Sequence, residues 1–229
     1  MDATVLVTGG RGGLGPAVTE AFLAGGWRVV TPLRRRPEPT GGGGLIPEVV
    51  EADLADPAAV ERAVARAAGD PGAPLRAVVN LAGGYAAGPR LHETPPEEFE
   101  RLLALNLRPT FLVTRAALPH LLAAGGGAVV CVSARTALQP FPGAVAYATA
   151  KAAVLAFAQA VAVEYRAKGV RCNAILPSVI DTPANRAGQP DADHSRWVPP
   201  AQVAAVIRFL AGEESAPTSG AAVPVYGRA

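Results

Sequence analysis

Tyr147 and Lys151, four residues apart in AYATAK, are the pair in this chain best suited to moving a proton. On a helix, side chains at that spacing share one face. A free phenol titrates near ~10, too high for acid–base work at neutral pH without help. A neighbouring ammonium favours the phenolate, so the pattern predicts a tyrosine whose pKa is lowered by its lysine. Such a phenol hands a proton to a carbonyl oxygen or an imine nitrogen, or accepts one in reverse. The second chemistry-bearing stretch is TGGRGGLG, Thr8 to Gly15. Its glycines, with Gly9, Gly13 and Gly15 setting the spacing, let backbone approach a pyrophosphate. A helix starting there turns N–H groups and positive dipole toward the phosphates. No metal site is expected. His92, His120 and His194 lack ligand spacing and read as surface residues, and Cys131 and Cys172 sit singly in apolar runs as reduced, buried thiols.

Strands and helices alternate to position these residues. The strand runs are ATVLV, WRVVTPL, EVVEA, LRAVVNLAGG, AVVCVS, VRCNAIL and AAVPVYG. Helical spacing marks LGPAVTEAFLAGG, and also PAAVERAVARAA, which Asp56 opens as N-cap with Pro57 in the first turn. A capping box at Thr94-Pro95-Pro96-Glu97 predicts a long helix through Leu122, which should bend where Pro109 follows Asn106. AYATAKAAVLAFAQAVAVEYRAKG is the next helix, and a last one spans about Pro200 to Ala211. Near-continuous apolar strands between helices imply an α/β, doubly wound Rossmann fold, a parallel sheet of about seven strands with helices on both faces. Such a fold holds its ligand at the carboxyl ends of the strands, where the glycine turn lies. With no repeat and no linker, residues 1–229 read as a single dinucleotide-binding and catalytic domain.

Bulk composition narrows the partners. Half the residues are hydrophobic and 17% are charged, as in a packed globular chain. A net charge of +2 argues against nucleic acid or an anionic membrane as partner. The N-terminus MDATVLVTGG lacks a basic n-region, no stretch reads as a membrane span, and AAVLAFAQAVAV reads as a buried helix face. A cytoplasmic location is expected.

In chain order, Thr8-Gly9-xxx-Gly13-x-Gly15, NLAGG at Asn80–Gly84, Asn106, Ser133 and Tyr147-xxx-Lys151 resemble the short-chain dehydrogenase/reductase family over essentially the whole chain. The resemblance implies a catalytic set of Tyr147, Lys151, Ser133 and Asn106. Ser133 would hydrogen-bond the substrate oxygen, and a carbonyl freed at the Asn106 bend would hold a water relaying protons to Lys151. It further implies a nicotinamide cofactor on Gly9, Gly13, Leu14 and Gly15, with Asp53 and Leu54 near the adenine and Asn80, Ala82 and Gly83 along its ribose. Tyr147, Lys151, Pro177, Ile180 and Thr182 would hold the nicotinamide end. Each assignment has a plainer rival: Asp53 as a cap for the following turn, Ser133 as a strand-end cap, Thr182 as a local turn before Pro183.

Within that family, VLVTGGRGGLG, LAGGYAAG, PGAVAYATAK and DTPANRAGQPDADHSRWVPP are similar to the dihydropteridine reductases. Those proteins lack the serine and carry an acidic residue after the second strand, whereas this chain has Ser133, and Leu33 followed by Arg34, Arg35 and Arg36. An acidic residue there would bind the ribose 2′-hydroxyl of NAD(H), while arginines, with Arg11 beside them, suit a 2′-phosphate. NADP(H) is therefore the expected cofactor, with NAD(H) as the alternative. The expected activity is hydride transfer between nicotinamide and a small carbonyl or alcohol. The alternatives are reduction of a cyclic imine or pterin, and a non-catalytic cofactor-binding regulator. Residues 182–200 are expected to be a mobile substrate lid of loops and short turns, in which Trp197 either stacks on a planar substrate or packs the lid down. The helix from Tyr147 to Lys168 is apolar on more than one side, which predicts a homodimer or homotetramer.

Overall fold

The apolar strand runs all join one parallel sheet in a computed structural model of the chain, which describes residues 2–35 and 46–228. Its strands are β1 (Thr4–Thr8), β2 (Arg28–Leu33), β3 (Glu48–Glu51), β4 (Leu75–Asn80), β5 (Gly127–Val132), β6 (Val170–Pro177) and β7 (Ala222–Val225). They lie in the order β3-β2-β1-β4-β5-β6-β7, each neighbour parallel to the next. The chain winds outward from β1 to β3, returns to β4, and winds outward again to β7. The reversal between β1 and β4 opens the crevice in which doubly wound folds bind ligands.

Seven helices complete the two outer layers: α1 (Gly15–Ala24), α2 (Pro57–Ala68), α3 (Pro96–Asn106), α4 (Arg108–Ala123), α5 (Val145–Tyr165), α6 (Pro183–Gly188) and α7 (Pro200–Ala211), counted among the described residues. Alternation along each strand sorts the core. Val5 and Val7 face α1 and α7, where Val18, Phe22, Val203 and Ile207 are buried. Leu6 faces the other way, into a cluster with Val60, Leu121, Val154 and Val161 from α2, α4 and α5. Each such large side chain removed from water contributes roughly 1.5–3 kcal/mol.

Local chemistry explains the helix ends and overturns three expectations. Asp56 caps α2 as its type predicts, its carboxylate accepting the Ala58 N–H at 3.0 Å. The Thr94 capping box does not form. Pro95 is the N-cap of α3, and the Thr94 hydroxyl donates instead to the Arg90 carbonyl at 3.0 Å. The long helix through Leu122 is two helices with a break at Leu107 rather than one bent rod. Pro109 has no N–H to give the Leu105 carbonyl, and the ladder stops there. Finally, Val145–Lys168 is long and apolar enough to cross a membrane by length and composition, contrary to the sequence reading. In the fold it is a core helix, with Val154, Leu155, Ala158 and Val161 buried against the sheet.

The outer strand β7 carries Pro224. Ala174 N–H donates to the Ala221 carbonyl and Ser178 N–H to that of Val225, so 221, 223 and 225 present their bonding groups to β6. The Pro224 nitrogen therefore faces outward, the position an edge strand tolerates.

Candidate active site

β1 runs directly into the glycine turn, and its last side chain ties that turn to β4. The Thr8 hydroxyl accepts from the Leu81 and Ala82 N–H groups, each at 3.1 Å. Thr8 stands in the quoted glycine stretch, but its spacing gave it no job. Gly9 adopts φ +67°, and a Cβ there would lie 3.0 Å from the Ala82 nitrogen. At Gly15 a Cβ would lie 2.3 Å from the Gly10 carbonyl carbon. A Cβ on Gly13 would meet the Thr182 methyl at 2.8 Å, so the turn after β1 and the segment after β6 are packed together. Leu14 precedes α1, and no side chain caps the first N–H groups of the helix. Open N–H donors beside bare backbone fit a dinucleotide's pyrophosphate.

Past β2, Arg34 and Arg35 are exposed, as is Arg11 on the turn, while Arg36 lies outside the described residues. Arg34 Nε stands 3.5 Å from Asp53 Oδ1, and that same oxygen accepts the Ala55 N–H at 2.9 Å. Asp53 thus caps the turn after β3, and Leu54 packs half-buried on the core.

Five expected residues, Asn80, Gly83, Asn106, Ser133 and Lys151, meet at the ends of β4 and β5. Asn80 turns inward, its amide donating to the Thr114 hydroxyl at 3.0 Å. The Asn106 side chain clamps the NLAGG turn, accepting from Gly84 N–H at 3.2 Å and donating to the Gly84 carbonyl at 3.1 Å. A Cβ on Gly83 would fall 2.6 Å from Asn106 Oδ1 and 3.4 Å from Lys151 Nζ, which places all three around one point. The Asn106 carbonyl accepts the Thr110 hydroxyl at 3.1 Å. Lys151 is buried, and its ammonium donates to the Val132 carbonyl at 3.0 Å. Ser133 is buried too, and its hydroxyl donates to the Lys151 carbonyl at 2.7 Å. That bond occupies the only proton of the serine, so while it stands the oxygen acts as an acceptor alone.

Tyr147 corrects the expectation of a lowered phenol. Burial first, and Tyr85 second, push its pKa up to about 12. Tyr85 packs edge-on against it, ring centroids 5.0 Å apart. Lys151 Nζ lies 5.8 Å from the Tyr147 ring centroid, and burial holds that ammonium down at about 8. Burial disfavours the charged form of each group, so the two shifts run in opposite directions.

Beside them opens a cleft of about 760 Å³, walled by Tyr147, Lys151, Ser133, Pro177 and Ile180. Sequence spacing missed other walls, among them Tyr85, Arg135 and Gln139, while Asn185 comes from the expected lid segment. Tyr85 lies inside the quoted LAGGYAAG and Arg135 only two residues past Ser133. The segment 182–200, expected as loops and short turns, holds no long helix before α7, but it does contain the short helix α6 and a 3-10 turn at His194–Arg196. Thr182 is the N-cap of α6, its hydroxyl oxygen accepting Asn185 N–H at 3.2 Å, and Asn185 in turn donates to the Ile180 carbonyl at 2.8 Å. Trp197 is buried, its ring 4.3 Å from the half-buried His194 ring of the same segment, and it is not among the residues walling the cleft. His92 is exposed and His120 half-buried.

A model of the short chain dehydrogenase family matches residues 3–193. The 2-(R)-hydroxypropyl-CoM dehydrogenase of Xanthobacter autotrophicus is 37% identical over 246 aligned positions, covering 99% of this chain and 98% of that protein. The 3-oxoacyl-[acyl-carrier-protein] reductase MabA of Mycobacterium tuberculosis is 31% identical over 235 positions, covering 99% and 92%. Among solved structures, a short-chain type dehydrogenase/reductase from Mycobacterium ulcerans superposes with a TM-score of 0.90 at 28% identity, covering 100% of this chain and 90% of that one.

Proposed function

This chain belongs to the short-chain dehydrogenase family, and on that footing we propose that it is an NADP(H)-dependent oxidoreductase interconverting a small ketone and its secondary alcohol. The observation that carries the reading is the meeting of Tyr147, Lys151 and the Thr182 segment at one cleft beside the glycine turn. Two relatives are named for a hydroxypropyl and a 3-oxoacyl substrate, which supports a carbonyl–alcohol pair over a cyclic imine.

Residues Gly9, Gly13, Leu14 and Gly15 would hold the pyrophosphate, and Ala82 and Gly83 the adenine ribose. Leu33 ends β2 where an acid would select NAD(H), and exposed Arg34 and Arg35 suit a 2′-phosphate. When bound, the nicotinamide supplies or receives the hydride. Thr182 has its oxygen engaged by Asn185 and keeps its proton to donate to a ligand. Tyr147, held protonated across the neutral range, gives its proton to the carbonyl oxygen of the substrate, the direction of reduction. Lys151 spends one N–H on Val132 and keeps two for ligand hydroxyls.

The chain is further proposed to act as a homodimer or homotetramer. Phe111 on α4, 46% exposed, packs beside Phe157 on α5, and Val163 farther along α5 is 67% exposed. These rows form the apolar face such an assembly covers.

NADPH oxidation with small methyl ketones, beside quinonoid dihydropterin, tests the activity. Turnover of the ketones supports it, and turnover of the pterin alone moves the reading to imine reduction. NADPH binding without any turnover would make the chain a cofactor-binding regulator. Arg34→Ala should lower the NADPH-to-NADH ratio of kcat/KM, and an unchanged ratio counts against the assigned cofactor.

A further inference from the structure

Resting on that reading of the cleft, we propose that the substrate carries an anionic group, a carboxylate or sulfonate, and that Arg135 binds it. Among the described residues, two cations, Arg135 and Lys151, line the cleft, and no carboxylate does. Lys151 is buried beneath Tyr147 and tied to Val132, so it serves the proton site. Arg135 has no such duty. It opens the turn Arg135–Ala137 just past β5, on the wall of the cleft.

Its guanidinium is held on two sides. Nε donates to Gln139 Oε1 at 2.7 Å, and the guanidinium carbon lies 5.1 Å from the Tyr226 ring centroid. The two terminal nitrogens have no hydrogen bond and no acidic side chain within ion-pair reach among the described residues. Asp181, the acid that follows β6, is already bound by Arg186 through contacts of 2.5 and 2.8 Å. The cleft therefore presents a preset fork of N–H donors with no carboxylate lining it among the described residues, the geometry that pairs with a planar or tetrahedral oxyanion. The stack on Tyr226 and the bond to Gln139 fix the guanidinium before any ligand arrives, so less freedom is lost on binding. Arg135 follows β5, whereas Arg34, Arg35 and the glycine turn follow β2 and β1, so this cation is separate from the phosphate-binding end. A ketone placed at Tyr147 with its acid at Arg135 would be fixed at both ends.

The test compares matched ketones: 4-oxopentanoate against 5-methylhexan-2-one, and 3-oxobutane-1-sulfonate against the same neutral control. The parent should favour the anions in kcat/KM. Arg135→Gln should collapse that anion-to-neutral ratio by about 10- to 100-fold, mainly through KM, and Arg135→Lys should restore part of it. A strut that merely supports Tyr226 would shift both substrates together and leave the ratio in place. Equal use of anionic and neutral ketones by the parent overturns the proposal and leaves the ketone reductase standing. Calorimetric titration of the NADP⁺-saturated protein with 4-oxopentanoate separates the remaining outcomes. Binding that Arg135→Gln abolishes, without turnover of any ketone, keeps the anion site and sinks the ketone reaction. Neither binding nor turnover sinks both.

Discussion

A phenol pushed up to about 12 and an ammonium pushed down to about 8 are opposite answers to the same burial. Tyr147 is thereby an acid by default, and Tyr147→Phe should cost ~10²–10⁴ in kcat while NADPH still binds, read by single-turnover kinetics and fluorescence titration. Ser133→Ala should cost far less, because that hydroxyl already serves the Lys151 carbonyl. Equal losses in the two variants would show that the serine reaches the substrate. Lys151 also sets a pH dependence. Unfolded, it titrates at 10.5, and in the fold at about 8, so between those values the unfolded chain holds the extra proton and stability rises with pH. The gain reaches about 3 kcal/mol at ~1.4 kcal/mol per unit. Tyr147 acts with the opposite sign: its protonated form favours the fold, and that stability is lost from pH 10 upward through about 12. Urea unfolding of the parent and of Lys151→Met, compared at about pH 8 and pH 10, should show the parent gaining on the variant. A constant difference would mean that the ammonium is solvated.

At the level of elements, what the sequence revealed depended on how local its cause was. Asp56 and Pro57 announce α2 because a cap needs only neighbours in the chain. β1 was legible for a related reason: it is buried on both faces, and its centre, Val5 to Val7, is an unbroken apolar run. The false capping box at Thr94 shows the limit, since its hydroxyl was drawn to Arg90 in a preceding turn that no periodicity reveals. Likewise the order Ser133, Tyr147, Lys151 was readable, but not that Ser133 bonds Lys151, nor that Tyr85 and burial raise the phenol. Those contacts join strand ends and a loop to α5 and depend on the assembled fold. Arg135 and Gln139 were missed because cleft walls carry no fixed spacing. Segment 182–200 illustrates a reading left open. Trp197 is buried and does not wall the cleft, so Trp197→Ala should cost about 3 kcal/mol by urea unfolding. A loss below about 1 kcal/mol would return the indole to the substrate.

At the scale of the whole molecule, an apolar flank runs along α4 and α5, and the sheet among the described residues ends at β3 and β7. Light scattering at micromolar concentration should give a mass of two or four chains, and a monomer would refute the role assigned to the flank. The edges pose a different hazard, since any exposed strand with free N–H and C=O groups is a template for another chain. On β7 the outward rung at Pro224 has no proton to offer, so a foreign strand laid along it would find a gap in the ladder. This proline should hinder fibril growth at no cost to the inward pairing with β6. Pro224→Thr should accordingly shorten the lag before turbidity appears on gentle heating while leaving the urea midpoint nearly unmoved. A variant that stays as clear as the parent would mean that the β7 edge is protected by something other than its missing donor.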